Sequence, residues 1–153
     1  MPKIDISQAP VRKGSLYPSP FHEPAAQRVR QALGDAGGLN DFGVNILTLP
    51  PGAWSSQRHW HDKEDEFVYV LTGELTLVTD TGEEPLRPGD CAAFPKTAAN
   101  GHHLINKSNA PATCLEVGTR TTDDSTVYPD ADLFFDGKLG WYTRKDGTPY
   151  PKP

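Results

Sequence analysis

The sequence predicts an all-β domain, a closed antiparallel barrel or sandwich. Between residues 42 and 118, short apolar runs recur at close spacing, each ended by Gly, Pro or Asp. None of the gaps between these runs can hold a helix, which removes a doubly wound α/β arrangement. The chain also carries 14 Gly and 15 Pro in 153 residues, as a fold with many turns requires. That length suits a single domain whose core needs no disulfides.

The elements follow in order. Residues 1–24 are polar and punctuated by Pro10, Pro18, Pro20 and Pro24, which reads as an extended arm. The run from Pro24 to Gly34 predicts a short helix, with Pro24 in its first turn, Gly34 as its stop, and Val29 and Leu33 as its buried pair. Strands are expected at 42–49, 66–71, 74–79, 91–95, 102–106 and 112–118, rich in β-branched and aromatic residues. Turns fall at Pro50-Pro51-Gly52, Thr72-Gly73, Asp80-Thr81-Gly82 and Arg87-Pro88-Gly89-Asp90. The segment 119–153 is turn-rich but holds Tyr128, Phe134, Phe135, Trp141, Tyr142 and Tyr150, more aromatics than a disordered tail carries. The division is therefore an N-terminal arm and helix (1–41), a barrel core (42–118) and a C-terminal extension (119–153) lying on the barrel or on a partner subunit.

Composition excludes several classes. A formal net charge of -5 offers no basic face to a nucleic acid. No apolar run follows Met1 and no stretch reaches the length of a membrane span, so a cytoplasmic location without membrane contact is expected. Cys91 and Cys114 lie in separate apolar segments without metal-site spacing and read as two buried free thiols.

Four of the five histidines fall in two tight groups, His59-Trp60-His61 and His102-His103. On a strand, His59 and His61 point to one side and can reach one ion. Glu66 heads a strand whose same-side successors, Val68 and Val70, are apolar. A carboxylate there is costly to bury alone, and a cation neutralises it. Three imidazoles and a carboxylate suit a divalent Fe, Mn, Ni, Co, Zn or Cu ion. On the residues alone, an exposed strand followed by a solvated acidic turn fits equally well.

The spacing of these residues resembles that of the cupins. Gly52, six residues, His59-Trp60-His61, four residues, Glu66, six residues and Gly73 is similar to the first cupin motif, one residue longer after its first glycine. Gly89, five residues, Pro95, then His102, three residues and Asn106 is similar to the second. There Thr97 stands where the family usually has glycine, and the histidine comes two residues late. The paired motifs span 52–106. The arm, the 33–39 stretch, Arg58-His59-Trp60-His61 and the 128–133 stretch further resemble a group of stand-alone bacterial cupins sometimes labelled sugar-phosphate isomerases.

The resemblance implies a double-stranded β-helix, a small jelly-roll barrel holding one divalent metal ion on His59, His61, Glu66 and His102. His102 is preferred to its neighbour His103 because its spacing to Asn106 is kept. A homodimer is also implied. Cupins span isomerases, epimerases, dioxygenases, decarboxylases and binders, so fold alone does not choose the chemistry. Three readings follow for a small-molecule substrate. The first is an isomerase, in which the metal stabilises an enediolate beside a sugar carbonyl. The others are a non-haem Fe(II) dioxygenase and a non-catalytic small-ligand sensor. The barrel interior is expected to be apolar, from Leu47, Val68, Val70 and Leu104, with Asn45 and Gln57 as its polar substrate contacts. Arg58 and Lys96 read as ordinary surface charges.

Overall fold

A computed structural model describes residues 3–153 and shows two facing β-walls. The first wall has the order β1 (Val11–Lys13), β2 (Val29–Ala32), β3 (Phe42–Leu49), β10 (Ala112–Thr119), β5 (Glu66–Thr72), β8 (Cys91–Phe94), antiparallel throughout. Its register fixes which residues share the inner face, because side chains alternate along each strand. Leu47 pairs with Cys114, and Cys114 with Val70; none of the three is exposed. One level up, Asn45, Glu116, Val68 and Ala92 form a row, and above it Gly43, Gly118, Glu66 and Phe94. The inner face thus changes from apolar to polar along the barrel axis.

The second wall is built around β7 (Gly82–Leu86), β6 (Leu75–Thr79) and β9 (His103–Ile105). Single bridges, Trp54 to Ile105 and His59 to His102, then tie β9 to the stretch before β4 (Trp60–His61). Strand β4 pairs with β11 (Thr126–Val127), which leads to β12 (Phe134–Asp136) and β13 (Trp141–Thr143). Leu75, Leu77, Leu86 and Leu104 from this wall meet Leu47, Leu49, Val68 and Val70 from the first in one core. Each such side chain contributes roughly 1.5–3 kcal/mol when fully buried.

Two motif positions serve the fold rather than chemistry. Asn106 is wholly buried; its Nδ2 donates to the carbonyls of Leu49 (2.7 Å) and Ala110 (2.8 Å), while Oδ1 accepts from the Ser108 amide (2.9 Å). Gly73, at φ +72°, turns β5 into β6, and a Cβ there would lie 2.8 Å from the Cα of Ala112. Thr97 occupies the left-handed region at φ +64°, where glycine is favoured and a β-branched residue is strained.

Two expectations are corrected. The helix over 24–34 does not form: Glu23–Ala25 is a single 3₁₀ turn, Val29–Ala32 is strand β2, and only Leu33–Ala36 is α-helical. Pairing on both edges, with β1 and β3, outweighs the helix preference of Arg30, Gln31 and Ala32. Val29 and Leu33 are half-buried rather than a buried pair. Cys114 is buried, but Cys91 is exposed, because it lies opposite Tyr69 on the outer face of the first wall. A second apolar cluster, around Tyr128, Leu133 and Tyr150, joins the C-terminal extension to Tyr17 and Phe21 of the N-terminal arm.

Candidate metal centre

Four side chains converge at the polar end of the barrel. Glu66 opens β5 on the inner face, His61 lies in β4, and His59 and His102 are bridge partners just before β4 and β9. Their Nε2 atoms surround one oxygen, Oε2 of Glu66, at 2.7 Å (His102), 3.3 Å (His59) and 3.4 Å (His61). All three imidazoles are largely buried.

The rings are oriented by different means. Nδ1 of His59 lies 2.8 Å from the carbonyl oxygen of Gln57, which can only accept. That nitrogen therefore carries the proton, and the Nε2 lone pair points to the cluster. Nδ1 of His61 meets Oδ2 of Asp124 at 2.6 Å, and Asp124 is itself held by the Lys63 amide (2.8 Å) and the Thr126 hydroxyl (3.3 Å). A carboxylate behind an imidazole is the arrangement that fixes and strengthens a metal-binding histidine. His102 has a buried Nδ1 without a partner and is held instead by stacking on Phe94, with ring centroids 3.6 Å apart. His103 turns elsewhere: its Nδ1 bonds the carbonyl of Ser56 (2.9 Å) and its ring packs edge-on against Trp54.

The electrostatics favour added positive charge. Burial pushes the Glu66 carboxyl up, but the adjoining imidazoles outweigh it and hold it well below the usual range. Burial opposes a charged His61, yet its bonds to Asp124 and Glu66 raise its pKa to about 10. His102 is pushed down by burial. The donor set thus attracts either a proton on His61 or a cation among the four groups, and three nitrogens with one carboxylate oxygen match a divalent transition metal. His61, Glu64 and Asp124 make a second close group. There Asp124 is spent on His61, and Glu64 Oε1 accepts the Thr121 amide at 2.7 Å.

A cavity of about 520 Å³ opens beside the cluster. Its lining differs from the apolar interior expected. Val68 and Leu104 contribute, but so do Asn45, Arg28, Arg30 and Glu116, and the phenols of Tyr17, Tyr128 and Tyr142. Arg30 grips Glu116 with two bonds, Nε to Oε2 at 2.7 Å and Nη2 to Oε1 at 2.9 Å. Leu47 and Val70 lie deeper, in the packed floor.

Gln57 is not part of this lining. The chain bends between Ser55 and Arg58, so strand alternation fails there, and the Gln57 amide donates to the Phe21 carbonyl at 2.7 Å. Arg58 is not an ordinary surface charge. It is largely buried and clamps Asp130 (2.6 and 2.8 Å), Asp80 and the Gly101 carbonyl. The arginines and tyrosines of the cavity escape the sequence reading because they come from the two terminal segments. The one signal was the period-two placement of Arg28, Arg30 and Ala32, which reads as a strand.

Comparison with known proteins agrees with the fold. The sequence profile of the cupin domain matches residues 45–118. A sugar phosphate isomerase of the cupin superfamily from Silicibacter pomeroyi is 49% identical, with a TM-score of 0.91 over 98% of this chain and 97% of its own. A protein of Acidithiobacillus ferrooxidans, whose name also proposes a sugar phosphate isomerase, is 35% identical, with a TM-score of 0.72 over 77% of this chain and 75% of its own. The polyketide cyclase RemF of Streptomyces resistomycificus shares the fold, with a TM-score of 0.60 at 20% identity over 78% of this chain and 79% of its own. The chain is also 28% identical over 104 residues, 68% of its length, to Endoribonuclease YbeY of Myxococcus xanthus, but spans only 32% of that protein. No helix among the described residues is long and apolar enough to cross a membrane. With near-complete coverage at 49% identity and a matching domain profile, the chain belongs to the cupin superfamily.

Proposed function

We propose that the protein is a metal-dependent enzyme acting on a small polar metabolite, an isomerase of sugars or sugar phosphates, with the ion held by His59, His61, Glu66 and His102. The observation that carries this reading is the convergence of three Nε2 atoms on one Glu66 oxygen, with the far sides of His59 and His61 already bonded to acceptors. When bound, a divalent ion supplies Lewis acidity to a hydroxy-carbonyl group, lowering the cost of removing the adjacent proton and stabilising the enediolate.

The protein's own groups do the rest. Asp124 and the Gln57 carbonyl keep the imidazoles in one tautomer and one orientation, so no reorganisation is needed as charge develops. Asn45 and the phenols present hydrogen-bonding groups to a polyol. This polar lining supports a polar metabolite over the apolar substrate that a dioxygenase reading calls for. The names of the two relatives above point the same way.

The test is elemental analysis of purified protein, followed by assays of aldose–ketose phosphate interconversion under argon with and without a chelator. Turnover that needs metal but not oxygen supports the reading. Turnover that needs oxygen and iron replaces it with the dioxygenase, and ligand retention without turnover replaces it with the sensor. The homodimer rests on an outward row of exposed apolar residues on β5, Phe67, Tyr69 and Leu71, and light scattering on the eluted protein tests it.

A further inference from the structure

Arg28 is a buried cation without a counter-charge. It is 7% exposed and lines the cavity. Its Nε donates to the carbonyl of Gly14 (2.9 Å) and its Nη1 to that of Ser55, and both acceptors are neutral. Among the described residues, Nη2 has no hydrogen-bond partner and no carboxylate forms an ion pair with Arg28. The other arginines that line the cavity, Arg30 and Arg120, are paired with Glu116 and Asp35. Removing an uncompensated guanidinium from water costs several kcal/mol, a cost that an anion in the cavity offsets.

The surroundings suit such an anion. Tyr17 stands edge-on to Tyr128, with ring centroids 5.7 Å apart, and lies 5.4 Å from Tyr142. Burial pushes all three phenols up, so they stay protonated and able to donate. The Tyr128 ring is also 5.9 Å from that of His59. From Arg28 the Ser55 carbonyl leads to Ser56, whose hydroxyl lies 3.2 Å from Nδ1 of His59. The cation and phenols therefore border the cavity on the side that adjoins the metal donors. We propose that Arg28, with Tyr17, Tyr128 and Tyr142, is an anion-binding subsite that takes a phosphate or carboxylate group of the substrate; this rests on the cavity being the substrate pocket of the metal centre. A guanidinium with a free edge and several neutral donors recognises either anion through charge-assisted hydrogen bonds.

The experiment titrates inorganic phosphate and acetate calorimetrically into the full chain, both chelator-stripped and metal-loaded. The wild type is compared with Arg28→Met, Arg28→Lys and Tyr17→Phe, and elemental analysis is run on each. At least one anion binds the wild type in both states, and Arg28→Met weakens it by about tenfold or more, the factor expected for one hydrogen bond to a charged group. Arg28→Lys retains part of the affinity, and Tyr17→Phe loses a few-fold. A preference for phosphate assigns the subsite to a sugar phosphate, and a preference for acetate to a sugar acid. Failure of the wild type to bind either anion, or equal binding by Arg28→Met, overturns the proposal. If Arg28→Met does not fold, unchanged affinity in both other variants overturns it. A wild type that binds the anion but never holds metal sinks the metal reading and leaves the subsite standing.

Discussion

Two sets of residues that line the cavity are built in opposite ways. The histidine–glutamate cluster draws on residues 59–66 and 102, carried by barrel strands and their bridges. The neighbouring set draws on Tyr17, Arg28 and Arg30 from the N-terminal segment and on Tyr128 and Tyr142 from the C-terminal one. The first is a compact set of like donors around one carboxylate oxygen, whereas the second is a spread of cations and phenols. The contrast teaches that the barrel gathers like donors at one point while the terminal segments line the cavity beside them.

The sharpest way to break that contrast is to remove a donor. His59→Ala or His61→Ala abolishes most bound metal in elemental analysis. With free ion at a hundred times its Kd, the lost linkage is about 2.7 kcal/mol, a fall of roughly 5–10 °C in Tm. His103→Ala keeps its metal; the reverse pattern, with His103→Ala losing metal and His102→Ala keeping it, shifts the donor assignment by one residue. Next in size is Asp124→Asn, which leaves every donor in place but weakens the hold on His61. Metal affinity, measured by competition with a chelator, drops about 10–100-fold.

Beside the neighbouring set, Glu116→Gln leaves Arg30 without its counter-charge. The pair is only partly buried, with side chains 28% and 18% exposed, so the loss is about 1–3 kcal/mol in urea unfolding, below that of a fully buried pair. Metal content stays unchanged, which separates the two sets. The smallest effect is a gain. Thr97→Gly relieves the left-handed strain, offset in part by the entropy glycine loses on folding, and stability rises by up to about 1 kcal/mol.

Legibility in the sequence followed the same division. The central strands were readable because apolar runs alternate with strong turn residues, and Phe42–Leu49 forms over the expected span. His59, His61 and Glu66 stood out because alternation over a few residues puts like donors on one side. The stretch from Pro24 to Gly34 was misread because its local preference is helical while its partners, β1 and β3, lie outside any local window. Arg28 was lost with it. Gln57 was misplaced because the chain bends just where alternation was assumed. Asp124 carries no local mark at all, since its role is set by a fold contact 63 residues away.

That separation has a bearing on how the protein is made. A ribosome adding roughly 5–20 residues per second delivers His61 about 3–13 s before Asp124. During synthesis the imidazole pair emerges without the carboxylate that orients His61. If the cluster holds the proposed ion, one captured in that interval is held by a looser set of donors and can exchange, so selection among metals falls to the chain once β11 has docked beside β4.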